Sequence, residues 1–380
     1  MSRRLLIAVT CLAVCASVLL LVGATAGAAS GAASVSPPIG GKPMTTTYSF
    51  GGASADAQLG TTKAVVSTIP NWASSFVFNG RTFHYKMVGA NPANGSSLTV
   101  VPTEILPITF TFASGGPPLT ASRQSRELMK SPIFNAAPFT SGTTQFADAM
   151  QRAEFWNEVS TVSPNYHVLL QTPALLRSVT VHVPAGSGRE ILDPNTGAYY
   201  AIIDIGFFES VFPSIVLPQH FPSTTLPLII SSNVFLSSGP NCCVYGFHGA
   251  FKTLSGPSIF TFAYANFLTR NITATPLVDD TWTISHEVAE WASDPFTRNR
   301  VPPWVQPGGS SACFSNILEV GDPLEALNPP GYSITVTKKT WDLTDVAGIS
   351  WFAHTLPSTE QNGLYSYHGF LTSPSTLCRP

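Results

Sequence analysis

The stretch Asp279-Asp280-Thr281-Trp282-Thr283-Ile284-Ser285-His286-Glu287-Val288-Ala289-Glu290-Trp291-Ala292-Ser293-Asp294-Pro295 decides how this chain is read. Trp282, Ile284, Val288, Trp291 and Ala292 make an apolar helical face, Asp279 or Asp280 stands where a carboxylate caps a first turn, and Pro295 stops the helix. With 3.6 residues per turn, His286 and Glu290 project one turn apart on one face, so both can close on a single cation. Glu287, the next residue round, points to the side of that cation, where a carboxylate can take a proton from a metal-activated water. This is the logic of the H-E-x-x-H metallopeptidase helix with Glu in place of the second His.

The surrounding charge supports a cation. Of the 21 acidic residues, ten fall in the window from Asp279 to Asp345, where only Arg298, Arg300, Lys338 and Lys339 are basic. In a chain with 11% charged residues, such clustering asks for a counter-ion, and a divalent metal is the simplest. The competing reading, two solvated glutamates beside a hydrogen-bonded histidine, leaves the clustered acids unexplained.

A third protein ligand must arrive from elsewhere, because Pro295 ends the helix. The segment Asn316-Ile317-Leu318-Glu319-Val320-Gly321-Asp322-Pro323 supplies two acids. Glu319 is the expected ligand and Asp322 the group that orients His286 through its other ring nitrogen, with the roles exchangeable. His248, in Gly246-Phe247-His248-Gly249, is an alternative ligand, an oxyanion-stabilising donor or a plain loop residue. Asp294 tops off the helix end or receives Arg298. Trp291, Trp304, Trp341 and Trp351 could line a cleft, but their irregular spacing fits core packing better.

Outward from this centre, Phe146, Ala149, Met150, Ala153 and Trp156 predict an amphipathic helix with Thr144 as its cap. Strands are expected over Tyr166–Leu170, Val179–Val183, Tyr199–Phe208 and Leu226–Phe235. From Tyr48 to Phe112 short runs rich in Val, Thr, Phe and Tyr, with Asn79-Gly80 between two of them, predict antiparallel hairpins. Strands mixed with few helices make the fold class α+β.

Residues 1–28 read as a signal peptide: Arg3-Arg4, an apolar run from Leu5 to Val22, then Ala26-Gly27-Ala28 as the cleavage site. The rival is a retained anchor helix, since the run approaches the ~20 residues of a membrane span. Later apolar runs are all interrupted by Pro, Gly, Ser or Thr, so a secreted protein with no membrane partner after cleavage is expected. Residues 29–45 have the composition of a disordered linker, and 46–125 read as a β-rich N-terminal region, either a separate module or a propeptide. With net charge −2 and no Lys/Arg cluster, a nucleic-acid partner is not expected.

Beyond the leader the cysteines are Cys242, Cys243, Cys313 and Cys378, an even set that favours two disulfide bonds in an exported chain. Adjacent cysteines rarely pair with each other, so Cys242 and Cys243 are each expected to reach Cys313 or Cys378. A thiolate zinc site lacks its usual C-x-x-C spacing.

The order His286-Glu287-Val288-Ala289-Glu290, Asp294-Pro295, then Glu319-Val320-Gly321-Asp322 resembles zincin-type metallopeptidases, more closely their H-E-x-x-E variants. A similar order occurs in plant phosphate-induced (exordium-like) extracellular proteins and in secreted bacterial proteins. The resemblance covers residues 240 to 325. It implies a zincin-like domain over 126–380, in which a mixed sheet precedes the metal helix and its edge strand holds a peptide or protein substrate. A His with two carboxylates roughly cancels the charge of Zn²⁺ and acidifies water less than a His₂Glu set. Ca²⁺ or Mn²⁺ also suits such oxygen-rich donors. The expectation is therefore a secreted zinc-dependent peptidase on His286, Glu290 and Glu319 with Glu287 as base; its rival is an extracellular binding protein with a structural ion. No G-x-S-x-G elbow or phosphate-cradling glycine loop points to another chemistry.

Overall fold

A computed structural model describes residues 66–378, apart from 240, 254–255, 274 and 359–362. The expected leader, the linker and the N-terminal region up to residue 65 lie outside the described residues. The fold is α+β. Strands β1 (Asn71–Phe78) and β2 (Arg81–Val88) form the predicted antiparallel hairpin. Its turn residues Asn79 and Gly80 take φ of 49° and 74°, the left-handed pair that a two-residue hairpin turn needs and that these residues adopt most readily.

The site rests on a mixed sheet. Its five main strands are β3 (Thr103–Phe112), β4 (Val179–Val183), β5 (Leu226–Ser232), β6 (Gly246–Lys252) and β7 (Ile259–Phe267), in the order β4-β3-β5-β7-β6, with the short strands Leu119–Thr120 and Ala174–Leu175 also paired to β3. Along that order neighbours run parallel except β6, which is antiparallel to β7 with His248 opposite Ala263. Side-chain alternation divides the strands between two apolar layers. Ile105, Leu228, Ile230, Ala250, Ala263 and Ala265 face one way. Leu106, Ile108, Ile229, Phe247, Phe251 and Phe262 face the other.

Helices cover both faces. On the first lie α1 (Phe146–Glu154) and α3 (Trp282–Ser293), buried along their whole length. On the second lies α2 (Ile205–Val216), through Phe208, Phe212, Ile215 and Val216. The alternation that sends Phe247 and Phe251 to α2 sends Gly246, His248 and Ala250 toward α3. Helix α3 is pinned further: Trp291 Nε1 donates to Thr261 Oγ1 of β7 (2.9 Å), and Ser293 Oγ donates to Glu154 Oε2 of α1.

Some expectations need correction. The run expected as one strand over 199–208 is a strand only over Tyr199–Asp204. There Asp204 accepts from Phe207 N at 2.8 Å, caps α2 and turns the chain into a helix. The run 226–235 breaks at Asn233, whose φ of 55° ends β5 before a separate strand, Val234–Ser238. Thr144 is not the cap of α1; Gln145 holds that position, and the Thr144 hydroxyl donates to Asp148. Nor does Asp279 or Asp280 cap the first turn of α3, which starts from Thr281. Asp280 Oδ1 accepts from Thr281 N and Asp342 N instead. Strand β3, from the β-rich N-terminal region, is an interior strand of the sheet that supports α3.

The cysteine pairing also differs from expectation. Cys313 bonds to Cys378, so neither takes Cys242 or Cys243 as its partner. The strand Arg300–Val305 brings the pair together: Trp304 O accepts from Phe314 N, and Pro303 O accepts from Cys378 N. Cys243 lies in another apolar cluster, with Tyr245, Phe235 and Trp282. Among the described residues no helix is long and apolar enough to cross a membrane.

Candidate metal centre

Three pieces of chain build the site. Helix α3 presents His286, Glu287 and Glu290; β6 presents His248; the loop after the strand Ser315–Ile317 presents Glu319, Asp322 and Glu325. The loop is held by its backbone. Leu318 N donates to Asn299 O at 2.9 Å and Ala347 N to Val320 O at 2.7 Å. Gly321 N donates to Glu290 Oε1 at 3.1 Å, which ties the loop to the helix carboxylate itself.

The geometry centres on Glu290. Its Oε1 lies 3.2 Å from His286 Nε2, and its Oε2 lies 3.6 Å from His248 Nδ1. Asp322 Oδ1 approaches the same His286 nitrogen at 3.4 Å and Glu325 Oε1 at 4.0 Å. Glu287 Oε2 lies 3.7 Å from His248 Nδ1, and Glu319 Oε2 lies 4.0 Å from His248 Nε2. Two glycines leave room for this. A Cβ on Gly246 would come 2.7 Å from Glu287 Oε1, and one on Gly321 would come 2.5 Å from His286 Nδ1.

Glu319 therefore meets His248, whereas Asp322 meets His286. Asp322 does not reach the other ring nitrogen: Nδ1 of His286 has no hydrogen-bond partner. Asp294 ends α3 with its carboxylate accepting from the backbone N–H groups of Arg298 (3.0 Å) and Asn299 (2.9 Å). Trp291, Trp304, Trp341 and Trp351 are core residues.

Glu325 was not singled out from the sequence. The signal was present in the spacing Asp322-Pro323-Leu324-Glu325, because a 3-10 turn, here Asp322–Leu324, eclipses residues three apart.

These groups are buried: exposure is 4% for His286, 3% for Glu290, 1% for Glu319 and 0% for Asp322. Buried carboxylates need partners, yet both side-chain oxygens of Glu319 and of Asp322 lack a hydrogen bond. Their protonation reflects this. Burial, then the charge of Glu290, raises the carboxyls of Glu319 and Asp322 well above the usual range. Burial raises Glu325 to about 7 and also raises Glu287. Burial opposes ionisation of Glu290 too, but the charges of His286 and His248 outweigh it and hold that group well below its usual range. Burial likewise disfavours both imidazolium ions, and the facing carboxylates more than offset it.

Buried His, Glu and Asp groups here can hold a metal ion. Three sets offer donor atoms within 4.8 Å of one another: His248, Glu290 and Glu319; His286, Asp322 and Glu325; and His286, Glu287 and Glu290. Orphaned carboxylate oxygens facing imidazole nitrogens are the donor set a divalent cation takes. Comparison with protein-family models, curated proteins and solved structures finds no match for this chain.

Proposed function

We propose that this chain is a secreted metal-dependent peptidase. His286, Glu290 and Asp322 hold a zinc ion, Glu325 stands at its rim, and Glu287 is the general base. The observation that carries this reading is the convergence of Glu290 Oε1 and Asp322 Oδ1 on His286 Nε2, with Glu287 adjoining on the same helix. A bound zinc ion would supply Lewis-acid polarisation of a water molecule and of the scissile carbonyl.

The side chains supply the rest. Glu287 takes a proton from the attacking water and returns it to the amine that leaves, which suits a carboxyl whose proton affinity burial has raised. Gly246 leaves room for Glu287 to lie against β6. The substrate class follows from β6, the last strand of the sheet among the described residues, beside which an extended peptide can pair through its backbone. Export rests on the leader read in residues 1–28.

The depth of burial favours a second reading, an extracellular binding protein in which the same residues hold a structural Zn²⁺, Ca²⁺ or Mn²⁺ ion. Glu287→Gln separates the two. A peptidase loses about 10²- to 10⁴-fold of its hydrolysis of an unstructured protein substrate, with metal content and melting temperature unchanged. Absence of metal-dependent hydrolysis by the wild type, with metal still raising the melting temperature, establishes the structural reading.

A further inference from the structure

We infer that the centre holds two cations that share the Glu290 carboxylate, the second bound by His248, Glu290 Oε2 and Glu319. This rests on the metal-site reading above and extends it from one ion to a pair.

Glu290 turns one oxygen to each imidazole, 3.2 Å to His286 Nε2 and 3.6 Å to His248 Nδ1. A carboxylate in that position can bridge two ions, which in paired sites lie roughly 3.5–4 Å apart. The replacement of the second His of H-E-x-x-H by Glu then has a physical reason: a neutral imidazole offers one lone pair, and a carboxylate offers an oxygen to each ion.

His248 is prepared as a ligand. Its Nε2 lies 3.1 Å from the carbonyl oxygen of Asp294. A carbonyl only accepts, so Nε2 carries the hydrogen, and in the neutral ring the lone pair sits on Nδ1, toward Glu290 and Glu287. Histidines that bind metals are held in this way, the distal N–H donating to a carbonyl or carboxylate. Glu319 is the independent observation. It is 1% exposed, both its oxygens lack hydrogen bonds, its Oε2 lies 4.0 Å from His248 Nε2, and it offers a donor within 4.8 Å of donors on both His248 and Glu290.

Charge points the same way. Glu287, Glu290, Glu319, Asp322 and Glu325 face the two imidazoles. Even two imidazolium ions leave an excess of negative charge, and one divalent cation beside neutral rings leaves more than two cations do. These five carboxylates can all be ionised only beside such counter-charge; without it most keep their protons.

The full secreted chain, stripped with a chelator and reloaded with Zn²⁺ alone, tests the pair by native mass spectrometry. Two ions per chain are expected in the wild type, and one in both His248→Ala and Glu319→Gln. With Mn²⁺ alone, an exchange-coupled electron paramagnetic resonance signal is expected, and Glu319→Gln should reduce it to that of an isolated ion. Glu319→Gln keeps the side-chain volume, so it carries the count if His248→Ala does not fold. One ion per wild-type chain, lost in His286→Ala and kept in Glu319→Gln, overturns the second site and leaves the first. No bound ion overturns both. Two ions retained in Glu319→Gln and in a folded His248→Ala overturn the assignment of ligands.

Discussion

Asp322 approaches His286 through the ring nitrogen that also faces Glu290, with Oδ1 3.4 Å from Nε2. Both acids stand on the Nε2 side of the ring, and Nδ1 is turned to Gly321. Asp322 thus stands beside Glu290 on the Nε2 side of the ring and not behind it at Nδ1.

Asp322→Asn is expected to weaken the ion at His286 by about 10- to 100-fold or more, since even groups that only support a ligand cost that much. Competition against a chromophoric chelator measures it. An affinity equal to wild type would show that Asp322 does not bind the ion.

Gly321→Ala tests the packing of the ring. The added Cβ would meet His286 Nδ1 at 2.5 Å and Cε1 at 2.6 Å, while the φ of −82° at this position suits alanine. The cost is therefore one of space: a loss of about 1–3 kcal/mol by overpacking, with weaker metal binding as the ring is pushed aside. Gly256→Ala, where the Cβ meets nothing within 4 Å, is the control and should leave denaturant unfolding unchanged. Equal behaviour of the two variants would refute the close approach.

Glu154 gives a pH dependence. Burial raises its carboxyl from 4.5 to about 8. The hydrogen bond that the Ser293 hydroxyl donates to Glu154 favours the ionised form, but burial outweighs it. In this window the folded state binds more protons than the unfolded one, and stability falls as pH rises from about 4.5 toward 8. Denaturant unfolding across that range should show Glu154→Gln losing part of the slope. An unchanged slope would mean that Glu154 is already ionised in the folded protein.

The Cys313–Cys378 bond closes a loop of 65 residues. Replacing both cysteines by serine is expected to destabilise the chain by about 4 kcal/mol through the entropy returned to the unfolded state. Equilibrium unfolding gives the value, and a change below 1 kcal/mol would show that the β-pairing beside it already confines the loop.

Local sequence carried the parts of this fold that depend on neighbours. The i to i+4 spacing of His286 and Glu290 placed both on one face of α3, and the β1–β2 turn followed from the backbone preferences of Asn79 and Gly80. The strands Tyr166–Leu170 and Val179–Val183 were legible from their composition and bounding residues. Helix α2 was not, because its Phe, Ile and Val residues favour strands, and the cap at Asp204 decides otherwise. Tertiary structure alone determined that Asp322 reaches His286 while Glu319 reaches His248, and that Cys313 finds Cys378. Those relations are set by the sheet register at β6 and by the hydrogen bonds that fix the loop from Leu318 to Glu325, across separations at which backbone periodicity carries no information.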